Sequence, residues 1–224
     1  MDLPSSLEER LHKLETRVHQ LESIAAVERL QRIYGYYLDN RMWEETVGLF
    51  TDDGEMEIGR RGRYRGRDQL RTFLVDVLGR GRHGRARSEL HNHIQIQGVV
   101  TLGADGQQAQ GRFRALAQFA MELPNGEQGC GWAEGVYENE YVLLEGQWRI
   151  RVLRWMPSFY GRLPPEAIAA GMPSAPVSER FPPSDPPTYG RDQPGSYILP
   201  FHYAHPATGE PTPVPLDPEG GKGT

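Results

Sequence analysis

Three proton-carrying side chains stand out by type and spacing. Tyr34 and Asp39 lie in Tyr34-Gly35-Tyr36-Tyr37-Leu38-Asp39, at the end of an amphipathic helical pattern, and His91 opens a later strand. A phenol, a carboxylate and an imidazole can exchange protons with a bound molecule unaided. No phosphate-cradling glycine loop or metal-binding motif accompanies them. The expected chemistry is acid–base work in a pocket, with no cofactor. Tyr34 and Asp39 are five residues apart, which on a continuous helix separates them by about 140° of rotation. Asp39 must therefore sit where the helix ends if both are to aim into one cavity. The competing role for Asp39 is a turn residue bonded to backbone amides. Tyr36 and Tyr37 read as packing residues.

His91 and His93 alternate onto the same strand face, with Gln95 beside them. Two histidines on one face could begin a metal site, but the other five, at positions 12, 19, 83, 202 and 205, offer no further ligands at useful spacing. No metal is expected. One imidazole as proton carrier, oriented by its neighbour, fits better, and an outer-face position for one or both is the alternative. Arg112 and Arg114 share a face of a later strand. Either they hold an oxyanion in the pocket, or they meet solvent and pair with Glu138 or Glu140, the preferred reading. Glu134, in Trp132-Ala133-Glu134-Gly135, is a second candidate acid or base; alternation groups it with Glu138 and Glu140, opposite Gly135, Tyr137, Asn139 and Tyr141. Trp43, Phe113, Tyr137 and Trp155 read as core residues that an aromatic-walled cavity would also use.

A chain of 224 residues can bury a full core. Its net charge of −5 gives no electrostatic case for nucleic acid or an anionic membrane. Arginines cluster at positions 60, 61, 63, 65 and 67 and again at 80, 82, 85 and 87, as a solvated loop or pocket rim, or as a lure for an anionic or phenolate ligand. The single cysteine, Cys130, excludes an intramolecular disulfide and has no basic neighbour to make it a thiolate. No signal-peptide core or membrane-length apolar run is visible, so a reduced, cytoplasmic compartment is the default.

These residues need positioning elements. Leu7, Leu11, Leu14, Val18, Leu21 and Ala25 recur at alternating spacings of four and three, an a/d heptad stripe, with Ser5 or Ser6 able to cap its start. Pairing with a copy from another subunit is favoured over packing on its own domain, which predicts a homodimer or homotrimer. The helical pattern continues to Tyr37. A short helix from Trp43 to Phe50, a turn at Asp52-Asp53-Gly54, a strand from Glu55 to Gly59 and a helix from Leu70 to Leu78 capped by Asp68 follow. From Leu90 the period becomes two: strands 90–100, 108–121, 128–144 and 148–156, joined by turn signals including Leu123-Pro124-Asn125-Gly126. Helices followed by long hairpins make an α+β order, with a curved antiparallel sheet on N-terminal helices leaving a cone-shaped cavity. Sixteen of the eighteen prolines lie from Pro157 onward, which reads as neither helix nor sheet. Its scattered aromatics imply an extended arm on its own domain or a neighbour, frayed over 211–224. The divisions are 1–24 heptad helix, 25–160 α+β domain and 161–224 proline-rich arm.

The ordered set Ala26, Tyr34, Asp39, Trp43, Leu49-Phe50, Asp53-Gly54, His91, Gly135-Val136-Tyr137-Glu138-Asn139 and Gly146-Gln147-Trp148-Arg149-Ile150 resembles the SnoaL-like branch of the nuclear-transport-factor-2-like superfamily, over about residues 24 to 157. The resemblance implies a cone-shaped α+β barrel, mostly cofactor-free enzymes and some non-catalytic binders. Its dehydratases use a tyrosine, an aspartate and a histidine at positions matching Tyr34, Asp39 and His91. The further strand acid of the bile-acid dehydratase would fall near Arg112 or Arg114, where no carboxylate stands. Tyr197-Ile198-Leu199-Pro200-Phe201-His202-Tyr203 resembles a sphingomonad-type subgroup with a diarylpropane formaldehyde-lyase. The expectation is a cofactor-independent lyase on a hydrophobic, aromatic, hydroxylated small molecule, losing water or formaldehyde. The alternatives are an isomerase or cyclase of a carbonyl substrate and a non-catalytic ligand-binding module.

Overall fold

The computed structural model describes residues 6–86, 89–122, 126–163, 204–211 and 213. Helix α1 (Leu7–Asp39) is unbroken. Ser6 starts it with a capping box: its hydroxyl accepts from the Glu9 backbone N–H while the Glu9 carboxylate accepts from that of Ser6. Residues 6–22 are exposed throughout, and the buried face begins at Val27 and runs through Leu30, Ile33, Tyr34 and Tyr37. Helix α2 (Trp43–Gly48) and strand β1 (Phe50–Ile58) follow. The expected turn at Asp52-Asp53-Gly54 is instead inside β1, where the pairing register shifts between Phe50 and Glu55. The extra residues are absorbed as a bulge rather than a reversal.

Strand β2 (Arg63–Arg65) pairs with β1, and helix α3 (Arg67–Thr72) begins after Gly66, so Asp68 is inside its first turn rather than its cap. The chain then widens over Phe73–Leu78, where the Gly79 N–H reaches back five residues to the Leu74 carbonyl at 2.8 Å. Strands β3 (Leu90–Leu102), β4 (Gln108–Glu122), β5 (Gln128–Leu144) and β6 (Gln147–Leu163) form the antiparallel meander. The sheet order is β2-β1-β6-β5-β4-β3. Because β1 runs parallel to β6, the sheet is mixed rather than wholly antiparallel. Strand β6 also continues through Pro157, beyond the expected end at Met156. Pairing with β1 stops at Trp155, and the opposite ladder shifts register at Glu134/Gly135, so the proline's missing N–H costs little there.

The helices lie on one face of this curved sheet, an α+β architecture, and the core fills the space between. Val27, Leu30, Ile33, Tyr34, Trp43 and Phe73 meet Phe113, Ala115, Tyr137, Tyr141 and Leu153. Cys130 is buried. A buried polar cluster ties α1 to the sheet. The Gln31 amide donates to Gln95 at 2.6 Å, and the Gln31 carbonyl accepts from Asn139 at 2.9 Å and Tyr141 at 2.7 Å. Such a cluster is costly when incomplete and orienting when satisfied. Of the proline-rich arm, residues 204–211 pack on the chain's own helices: His205 stacks on Tyr37 at 5.5 Å and meets the Glu45 carbonyl at 3.1 Å. The Tyr197–Tyr203 motif, Ser5, the Leu123–Asn125 part of the second turn and residues 214–224 lie outside the described residues. Among the described residues no helix is long and apolar enough to cross a membrane.

Candidate active site

Helix α1 approaches β3 closely at Gly35. A Cβ there would stand 2.6 Å from the Gln95 amide nitrogen, so a larger residue would have to push the Gln95 amide off its place. One turn later the helix ends at Asp39, and the turn brings its carboxylate onto β3. Both carboxylate oxygens accept from the His93 backbone N–H at 3.0 Å, and Oδ1 lies 2.6 Å from His93 Nδ1. An ionised carboxylate only accepts, so Nδ1 carries the proton and Nε2 of a neutral ring keeps its lone pair free to act as a base.

A cavity of about 280 Å³ lies between α1 and the sheet. Its polar groups are Tyr34, Arg61, His91, His93, Gln118, Tyr137 and Tyr160, and its apolar wall includes Leu38, Trp43, Met56, Leu78, Phe119, Met121 and Trp155. His93 faces this cavity and also a second, more polar recess that contains Asp39. Asp39 thus does not line the main cavity, where the sequence reading placed it; it follows Leu38 of the cavity wall by one residue, about 100° further round the helix, and stands behind His93.

Tyr34 is fully buried and edge-on to Tyr137, with ring centroids 6.0 Å apart and a side-chain hydrogen bond between them. Burial, above all, pushes both phenols well up, so both stay protonated and act as hydrogen-bond donors rather than phenolates. His91 behaves oppositely to an ordinary surface histidine. Burial first, then the Arg41 guanidinium, the neighbouring His93 and the Arg85 guanidinium, hold it down to about 3. It is neutral at physiological pH, and its enclosed Nε2 has no hydrogen-bond partner among the described residues. It can offer a neutral polar contact to a ligand, but not an imidazolium proton.

Trp43, Tyr137 and Trp155 line the cavity, as do Tyr34, His91 and His93. Arg112, Arg114 and Glu134 do not. Their side chains stand on the outer sheet face, where Arg112 pairs with Glu138 at 2.5 Å and Arg114 with Glu134. Strand alternation forces this, since Phe113, Ala133 and Tyr137 occupy the inward positions. Residue-by-residue reading overlooked three groups. Arg61 lines the cavity and was visible only as one of an arginine run. The buried pair Arg41–Glu89, at 3.0 Å with Arg82 also on Glu89, pins the loop before β3 beside His91. The signal for the Gln31 cluster was a polar residue at an apolar-face position of the helix, with Asn139 between two inward tyrosines. Among the described residues no group of three or more His, Cys, Asp or Glu side chains could hold a metal ion.

Residues 19–154 match the SnoaL-like domain family. None of the curated proteins matches the sequence. Among solved structures, the fold is similar to a provisional scytalone dehydratase from Novosphingobium aromaticivorans DSM 12444, at 23% identity and a TM-score of 0.54 over 66% of this chain and 91% of that one. It is similar also to a type 2 hexachlorocyclohexane dehydrochlorinase, LinA, at 20% identity and a TM-score of 0.57 over 71% and 97% of the two chains. The LinA type 3 enzyme from Novosphingobium barchaimii LL02 gives 19% identity and a TM-score of 0.54 over 71% and 99%. The matched span holds α1 from its exposed half onward, the curved sheet and the wall that carries Tyr34, His91, His93 and Tyr137, and the chain belongs to the SnoaL-like domain family.

Proposed function

We propose that the protein is a cofactor-independent lyase that eliminates water from a hydrophobic, aromatic, hydroxylated small molecule. The observation that carries this reading is the Asp39–His93 pair, which holds one imidazole nitrogen at 2.6 Å and sets the ring against an otherwise largely apolar cavity. His93 Nε2 takes the proton from the carbon next to the one bearing the hydroxyl. The C–H electron pair becomes the new double bond, and the C–O bond breaks. Tyr34 and His91 hydrogen-bond to the departing oxygen, which receives the proton from the His93 imidazolium and leaves as water. Asp39 orients the ring and offsets the charge it gains; this acid–base contribution is worth roughly 10²–10⁴ in rate. The protonated tyrosines and neutral His91 suit hydrogen-bond donation to an oxygen better than proton loss. Trp43, Phe119 and Trp155 supply flat apolar contact for an aromatic ring, and Arg61 supplies positive charge beside it.

The same residues would support a retro-aldol loss of formaldehyde, with His93 taking a hydroxyl proton instead, the C–C electron pair becoming the new double bond, and the benzylic hydroxyl leaving as water with that proton. Incubating the protein with a panel of aromatic diols, with mass spectrometry reading loss of water alone (roughly 18 mass units per turnover) against loss of formaldehyde together with water (about 48), separates the two reactions. Loss of water that disappears in His93→Ala is the expected result. Formaldehyde release would replace the dehydration. Binding without either product would make the protein a ligand-binding module.

A further inference from the structure

Residues 7–22 of α1 are exposed throughout. Leu7 is 80% exposed, Leu14 58% and Leu21 67%. These stripe positions cannot be covered by the helix's own domain, because the two faces diverge. The domain-facing side chains Val27, Leu30, Gln31, Ile33, Tyr34, Tyr37 and Leu38 fall at heptad positions b, c, f and g when Leu11, Val18 and Ala25 are taken as a, and only Gly35, which has no side chain, is buried at a d position. At 100° per residue that face lies about 160° round the helix from the a/d seam. A second helix on the seam therefore clears the domain.

The flanking charges identify the occupant. In this register Leu7, Leu14 and Leu21 are d, Glu8, Glu15 and Glu22 are e, and Arg10 and Arg17 are g. In a parallel, in-register pair of identical helices each g residue meets the e residue of the next heptad on the partner. Arg10 then faces Glu15 of the second copy, and Arg17 faces its Glu22. An antiparallel pair would instead set arginine against arginine and glutamate against glutamate. Leucine at every d position with valine at the central a position favours two strands over three. The seam also has a defined end. The next d and a positions are Glu28 and Arg32, which pair with each other along the helix at 2.8 Å.

We infer that residues Leu7–Ala25 of α1 form a parallel, in-register, two-stranded coiled coil with a second copy of this chain. Since α1 is continuous to Asp39, the pairing holds both catalytic domains at the same end of the coil.

Light scattering of the full chain at micromolar concentration should give twice the chain mass. Leu14→Glu combined with Val18→Glu should give a monomer whose near-ultraviolet circular dichroism matches the parent, since both side chains are exposed in their own chain. Direction is read by crosslinking. Leu7→Cys should yield a disulfide-linked dimer on mild oxidation, because like positions face each other only in the parallel arrangement. The charge code is read by mixing: Glu15→Arg/Glu22→Arg and Arg10→Glu/Arg17→Glu should each associate poorly alone and form a heterodimer together. A monomeric parent, a trimeric mass, or a dimer that survives Leu14→Glu/Val18→Glu would overturn the assignment. Crosslinking of Leu7→Cys only when mixed with Ala25→Cys would show an antiparallel pair and overturn it equally.

Discussion

The two faces of the sheet carry similar chemical groups and treat them in opposite ways. On the outer face Arg112–Glu138, Arg114–Glu134 and the Arg151 and Arg154 pairs with Glu140 stand in or near solvent. Water screens them, and exposed ion pairs of this kind contribute about 0–1 kcal/mol each. On the inner face, His91, His93 and Tyr137, with Tyr34 of α1 packed against that face, have given up most of their water to the core and cavity. There a group either finds a protein partner, as His93 finds Asp39, or keeps an enclosed polar atom free, as His91 does at Nε2. Strand β5 supplies both sets, with Tyr137 inward and Glu134, Glu138 and Glu140 outward, so the pleat decides which groups are buried and which stay solvated.

The widest gap between the faces should appear in turnover of whichever diol proves to be the substrate. His93→Ala and Asp39→Asn should each lower kcat by roughly 10²–10⁴ while circular dichroism shows an intact fold. Full activity in either folded variant would remove the pair from the mechanism and erase the contrast. Tyr34→Phe should lower kcat by about 10²-fold, the scale of losing one donor to a developing oxyanion. A change in KM alone would make Tyr34 a wall residue.

His91 sharpens the contrast through pH. Unfolded, it binds a proton below its ordinary value of 6.5; folded, it stays neutral down to about 3. The unfolded state therefore binds more protons across that window, and the His91 contribution to stability, full above pH 6.5, is lost as pH falls toward 3. Denaturant midpoints measured across the window should fall less steeply for His91→Gln than for the parent. Equal slopes would mean that His91 titrates normally in the fold. The smallest effect belongs to the outer face: Arg114→Ala and Glu134→Gln should each change stability by less than about 1 kcal/mol and leave kcat unaltered. A tenfold loss of kcat in either would bring the outer face into the site.

Much of this architecture was legible because it is written in local periods. Ser6 with Glu9 announces a helix start three residues apart, and the period of two marks β3, β4 and β5 to within two residues of their ends. Alternation alone groups Glu134 with Glu138 and Glu140 on one face and Tyr137 on the other, since it needs only the pleat of a single strand. The parallel β1–β6 pairing was not legible, because it joins segments about a hundred residues apart with no turn between them to set direction. The passage of β6 through Pro157 was missed for a related reason. Whether a missing N–H matters depends on the neighbour strand, and β1 has already ended there.

The sequence by itself determined that a helix ends at Asp39 and that His91 and His93 share one strand face, because helix period and strand alternation are properties of the backbone. It left two near-equivalent histidines. Only the tertiary structure decided that His93 meets Asp39, across 54 residues of chain, while His91 sinks beside Arg41 and Arg85 and stays neutral. That choice depends on how closely α1 approaches β3 at Gly35 and on the Gln31–Gln95 bond that holds it there. Both are long-range contacts, whose geometry no local period encodes.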